Sequence, residues 1–190
     1  MVYSGLCLHP WIDGAPSCAE ARPACCPSCA AASLPPGKPF VVVGRGHRDR
    51  QVLGPSGPNG DPEWLRVGTH RFRCRACEAV FVVVPRGILR RRWYSGIAIA
   101  QALARVVLLG QSGAEVRAAI SPFALLGDSA RRGWKQLGVW LAAAPQLFWL
   151  PRPAANVEGV LGQLASLALG RDSASPIERI VAGVVSIGSE

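Results

Sequence analysis

Two short cysteine hooks, Cys26-Pro27-Ser28-Cys29 and Cys74-Arg75-Ala76-Cys77, carry the clearest chemistry in the chain. Each hook can offer two thiolates to one tetrahedral ion, and four sulfurs at about 2.3 Å close a structural zinc site with no position left for a substrate. The hooks stand 44 residues apart. The usual separation is about 15–20 residues, so the strands between them must carry a long excursion. The plain alternative is reduced thiols packed as small hydrophobes. A disulfide framework suits the chain poorly, because its cysteines number seven and no secretory leader is visible. Cys25 adjoins the first hook and competes with Cys26 as ligand, while Cys7, His9 and Cys18 make a candidate second metal cluster. A further alternative is an enzyme that uses Cys25 or Cys26 as nucleophile with a histidine as base.

Composition narrows the partners. The chain has 190 residues, 49% of them apolar, a net charge of +9 and a pI near 9.9. That is enough apolar material for a core, with a charge balance suited to an anionic partner. The charge is uneven: −1 over residues 1–37, +8 over 38–92, +3 over 93–140 and −1 over 141–190. No apolar run reaches the eighteen or so residues of a membrane span, the longest candidate (139–150) being broken by Pro145 and Gln146. A reducing cytoplasm that contains nucleic acid, with nucleoid association, is the expected compartment, and no membrane partner is expected.

The elements that must position the hooks read as an α+β chain. Residues 1–24 lack periodicity and predict a loose, flexible lead-in, with Trp11 weakly placed to cover a sheet edge. Residues 25–89 predict a small β zinc ribbon with a long insert. Its strands are Phe40–Val43, ended by Gly44-Arg45-Gly46, then Trp64–Arg73 and Ala79–Val84. Gly54–Pro62, rich in Gly and Pro, predicts a surface excursion. After the basic bridge Arg86, Arg90, Arg91 and Arg92 the apolar period changes to about 3.6. A helix capped by Ser95 and stopped at Gly110 follows, then a short helix Ala114–Ile120 ended by Ser121-Pro122. A third helix is expected from Asp128 or Ser129 to about Ala144, with Trp134 more a core residue than a stacking platform. Residues 90–144 thus outline a helix-turn-helix unit. Residues 145–190 predict two amphipathic helices that either cover this unit or form a homodimer through residues 156–187.

These features resemble small prokaryotic transposase-like proteins with a zinc ribbon followed by a helix-turn-helix, of the kind found at the N-terminus of insertion-sequence transposases. The resemblance rests on Cys26-Pro27-Ser28-Cys29, Arg73-Cys74-Arg75-Ala76-Cys77, Arg90-Arg91-Arg92-Trp93-Tyr94-Ser95, Gly110-Gln111-Ser112 and Ser129-Ala130-Arg131-Arg132-Gly133-Trp134, within residues 25–140. It implies zinc and DNA binding. The chain departs from the pattern at Ser121–Gly127, where the family has a tight turn, and at Gly133, which weakens the third helix.

The expectation is a non-enzymatic, zinc-stabilised protein that binds double-stranded DNA, derived from a transposase or associated with a mobile element. Cys26, Cys29, Cys74 and Cys77 are the metal ligands. Arg71, Arg73, Arg75, Arg90, Arg91 and Arg92 hold the phosphate backbone, while Ser129, Arg131, Arg132 and Lys135 approach a groove. His47 and His70 are candidates for phosphate contact or for replacing a metal ligand, with a plain surface histidine the expected reading of each. A cutting-and-joining enzyme needs spaced carboxylates on a sizeable domain, and residues beyond 140 offer only Glu158, Asp172, Glu178 and Glu190. A ribbon that binds RNA or a protein partner is the alternative.

Overall fold

The computed structural model describes residues 1–4, 6, 8–12, 14–89, 92–124, 134–148, 150, 152–168 and 175–186. The chain is mixed α and β and divides into two compact units. Unit 1 comprises Met1–Gln51 with Leu65–Arg86, and unit 2 comprises Val52–Trp64 with Gly87–Glu190. This partition differs from the expected ribbon over 25–89: the tip of the long insert groups with the helices, and the N-terminal residues join the cysteine hooks.

A four-stranded sheet runs β1 (Val2–Tyr3), β4 (Val80–Val84), β3 (Glu63–Cys74) and β2 (Val42–Gly54) in spatial order. β3 and β4 form an antiparallel pair with Phe72 opposite Phe81 and Arg73 opposite Val80, and β1 lies parallel to β4. β2 runs through Gly44-Arg45-Gly46 instead of ending there, and Gly46 takes φ of 91°, where a side chain would be strained.

Burial along β3 changes sides. Leu65 and Val67 are buried while Arg66 is exposed, yet further on Phe72 and Cys74 are buried while Arg71 and Arg73 are exposed. Within unit 1 the N-terminal segment produces part of this change. Trp11, fully buried, meets His70 edge-on at 5.9 Å; His70 Nε2 and the Pro16 carbonyl are 2.7 Å apart; and a Cβ at Gly68 would sit 2.8 Å from the Gly14 carbonyl. The expected loose lead-in is therefore corrected: Trp11, Leu8 and Ala21 are core residues. Local periodicity does not reveal this, because their partners lie some 60 residues along the chain.

Unit 2 is built around α1 (Gly96–Leu109), whose first nine residues are all buried. Such a helix is central rather than amphipathic, and its Gly and Ala residues let neighbours approach closely. Ser95 caps it by accepting from Ala98 N–H at 2.9 Å, and Gly110 at φ 62° closes it with N–H bonds to the Arg105 and Val106 carbonyls. Gln101, buried, donates to the carbonyls of Gly57 at 2.7 Å and Pro58 at 3.0 Å. The Gly54–Pro62 stretch is thus anchored on α1, with Gly54 and Pro55 buried, and is not a free surface excursion. α2 (Gly113–Ile120) opens with a reciprocal cap in which Glu115 N–H and Ser112 N–H bond each other's residue's side chain.

α3 (Lys135–Leu147) begins at the Trp134 cap and buries Leu137, Trp140 and Ala144. Tyr94, Trp134 and Trp140 pack edge-to-face with centroids 5.0–5.7 Å apart, which makes Trp134 a packing residue. The expected start at Asp128 or Ser129 lies outside the described residues. α4 (Val157–Leu167) and α5 (Pro176–Ser186) turn Val160, Leu161, Leu164, Ile180, Val181 and Val184 into one core with α1. Of the two roles open to these apolar stripes, covering α1 is the one seen within the chain. Gly183 faces the Leu164 backbone so closely that a side chain there would overlap its carbonyl.

Candidate metal centre

All of the metal-centre residues belong to unit 1. The first hook leaves a loop in which Cys26 N–H bonds the Ala31 carbonyl and Ala30 N–H bonds the Cys26 carbonyl, both at 2.9 Å. The second hook follows directly from β3 and returns to β4, with Cys74 N–H bonded to the Ala79 carbonyl at 2.9 Å. Arg75 N–H bonds the Val41 carbonyl at 2.8 Å, which ties this hook to the chain entering β2. Pro27 restricts the first turn, and the residue after each hook, Ala30 or Glu78, takes the left-handed conformation that closes it (φ 57° and 61°).

The four sulfurs of Cys26, Cys29, Cys74 and Cys77 lie within 4.8 Å of one another. Two cross-hook pairs, Cys26 with Cys77 and Cys29 with Cys74, stand at 3.7 Å. A tetrahedral ion with sulfurs at about 2.3 Å would set them about 3.8 Å apart, so the spacing accommodates a divalent ion at the centre. A disulfide needs about 2.05 Å, and all four cysteines are free thiols. Cys26 and Cys74 are buried, Cys29 and Cys77 exposed. The centre therefore sits at the surface of its unit with one sulfur of each hook inside.

Proton affinities within the cluster also favour a cation. Burial pushes the Cys26 thiol up, but N–H groups of Ser28 and Cys29, with the Cys74 and Cys29 thiols, bring it down to about 6. The Ala79 N–H pulls Cys77 down, yet its three thiol neighbours and partial desolvation push it up to about 12. Cys29 is likewise raised, the N–H of Ala31 and the Cys77 thiol being outweighed by desolvation and by Cys26 and Cys74. The Cys26 thiolate forms readily, while Cys29 and Cys77 hold their protons more tightly than a free thiol. A divalent ion would take the place of those protons and make four thiolates compatible.

The other cysteines are elsewhere. Cys25 is exposed in a bridge with Ala32, so Cys26 and not Cys25 supplies the fourth sulfur. Cys18 is half-buried, 4.0 Å from the Arg22 guanidinium and against Gly44. Cys7 and the side chain of His9 lie outside the described residues. Among the described residues this is the one cluster of three or more ligating groups.

The basic candidates divide. Arg71, Arg73 and Arg75 are exposed on and after β3; Arg73 Nε bonds Glu78 at 2.8 Å, while no described carboxylate pairs with Arg71 or Arg75. Arg45 and Arg48, exposed on β2, are equally free of a described carboxylate and were not singled out by the sequence reading. Their signal was the exposed Arg45-x-His47-Arg48 run itself. In unit 2, Arg92 is half-buried and Lys135 exposed at the start of α3. Arg90, Arg91, Ser129, Arg131 and Arg132 lie outside the described residues. No protein-family model, curated protein or solved structure matches the chain. No described helix is long and apolar enough to cross a membrane.

Proposed function

We propose that the protein binds a nucleic-acid backbone, double-stranded DNA first of all, through a basic unit held together by zinc. Soft thiolates in a four-sulfur set select zinc among the common hard and borderline divalent ions. Cys26, Cys29, Cys74 and Cys77 hold the ion, whose contribution is structural, since four protein ligands leave it no open position. A compact unit of this size has a small hydrophobic core, and a structural ion supplies on the order of 10 kcal/mol.

The observation that carries the reading is the unneutralised charge on the unit that holds the metal centre. Unit 1 has ten Arg and Lys against four Asp and Glu. Arg45, Arg48, Arg71 and Arg75 are exposed without a described carboxylate partner. Guanidinium forks suit phosphate oxygens and fix register along a duplex. Arg90, Arg91 and Arg92 are proposed as further phosphate contacts and Lys135 as a groove contact, all four in the other unit. The resemblance to transposase ribbons supports an origin in a mobile element, and the small carboxylate complement supports a binding role without catalysis.

A duplex titration at several salt concentrations tests this. Phosphate contacts release counterions, so affinity falls steeply with salt, by about 10³-fold or more between 50 and 200 mM for six or more contacts. Flat salt dependence, or preference for single-stranded RNA in competition, would overturn the duplex reading.

A further inference from the structure

A cleft of about 560 Å³ in unit 1, separate from the sulfur cluster, is lined by His47 and Asp49 of β2, Arg66, Gly68 and His70 of β3, and the 14–16 loop. Its size is that of a small-molecule site. We propose that this cleft accepts one unstacked guanine nucleotide. The proposal deepens the nucleic-acid reading and rests on it for the source of the nucleotide, a base displaced from a bound strand.

The chemistry of the lining selects the base. His70 Nε2 lies 2.7 Å from the Pro16 carbonyl, which can only accept, so Nε2 carries the proton and Nδ1 is left as an acceptor in the neutral ring. The ring is held between Trp11, edge-on at 5.9 Å, and Phe72 at 6.2 Å. Gly68 keeps the floor low, since a Cβ there would meet the Gly14 carbonyl at 2.8 Å and Ala15 at 2.9 Å. Asp49 and Arg66 pair loosely at 3.9 Å and both remain open to solvent. The cleft thus offers a carboxylate acceptor beside a guanidinium donor, each replaceable at small cost.

Guanine complements that pair. Its N1–H and exocyclic amine are adjacent donors for the Asp49 carboxylate, and its O6 and N7 are acceptors for the Arg66 guanidinium. Adenine and cytosine would turn a ring-nitrogen lone pair toward the carboxylate next to their amine. Thymine and uracil would flank their single N–H with two carbonyl oxygens. Each wrong base leaves an acceptor facing Asp49 without a proton.

Calorimetric titration of the full, zinc-loaded chain with GMP, AMP, CMP, UMP and inorganic phosphate tests the proposal. GMP is expected to bind at least about tenfold more tightly than the others, the step of one well-made polar contact. Asp49→Asn should abolish that preference for GMP over the other nucleotides. A cobalt-substituted thiolate spectrum checks that the variant has kept its fold. Equal binding of all four nucleotides, phosphate alone competing as well as GMP, or no GMP binding at millimolar concentration overturns the cleft assignment. Duplex binding that persists in those cases leaves the basic-unit reading standing, whereas loss of duplex binding with GMP binding intact rejects only the latter.

Discussion

Ala30 and Glu78 occupy the same place in the two cysteine hooks: each follows its hook's second cysteine, and each holds a left-handed backbone, with φ of 57° and 61°. Closing the loop around a metal demands this conformation, and neither residue is the glycine that adopts it without cost.

Glycine at position 30 should therefore stabilise the metal-loaded protein. Relief of a left-handed non-glycine residue is worth about 1–2 kcal/mol, and the extra freedom of glycine in the unfolded chain returns about 0.5–1 kcal/mol. Ala30→Gly should raise stability by the difference, on the order of 0.5–1 kcal/mol, in a urea titration. Glu78→Gly also loses the exposed pair with Arg73, worth about 0–1 kcal/mol, and should be nearly neutral. A clear loss of stability in Ala30→Gly would mean that the turn is not strained.

Metal removal should act on the two units differently. The core of unit 2, from Ile97 to Val184, contains none of the four cysteines. A strong chelator is expected to abolish the strand contribution to circular dichroism and expose Trp11, while most helical signal persists. Cys74→Ser should do the same and bleach the thiolate-to-cobalt absorption. An unchanged spectrum after verified metal loss would remove the structural role assigned to the ion.

Among the described glycines of the helices, Gly183 leaves the least room for a side chain. A methyl group there overlaps the Leu164 carbonyl, and helix backbones cannot yield as a flexible side chain does. Gly183→Ala should cost about 3 kcal/mol, at the upper end of overpacking, despite the better helix propensity of alanine. Thermal unfolding of this variant beside Gly162→Ala, which has open space, separates the clash from propensity.

Acid should weaken the start of α2. Bonds from the Ser112 hydroxyl and N–H hold Glu115 below the usual carboxylate range. A depressed folded-state value stabilises above the unfolded value near 4.5 and loses that contribution as pH falls through the folded one. Glu115→Gln should thus lower the melting temperature at neutral pH and converge with the parent in acid. Parallel melting curves across that window would count against the reciprocal cap.

The sequence made some of this legible and hid the rest for physical reasons. Ser95, Gly110 and the apolar spacing of Val160, Leu161, Leu164, Ile180, Val181 and Val184 act within one or two turns, so helix signals could be read locally. The cysteine pairs were equally plain, because ligand spacing within a hook is a short-range constraint. Trp11 was not: its burial is created by His70 and the sheet, far along the chain. Nor was the continuation of β2 through Gly44 and Gly46, since sheet pairing overrode two residues that usually punctuate strands. The Gly- and Pro-rich stretch at 54–62 looked solvent-borne because nothing in it announces Gln101 as its tether.

The reversal of sides along β3 has a consequence for how the sheet can go wrong. Shifting that strand by a single residue would turn Leu65 and Val67 outward at one end, and at the other would drive Arg71 and Arg73 inward while aiming the Cys74 sulfur away from its partners. Misaligned hairpins are thus penalised twice over, at opposite ends of the same strand. The alignment of β3 is thereby specified from both of its ends.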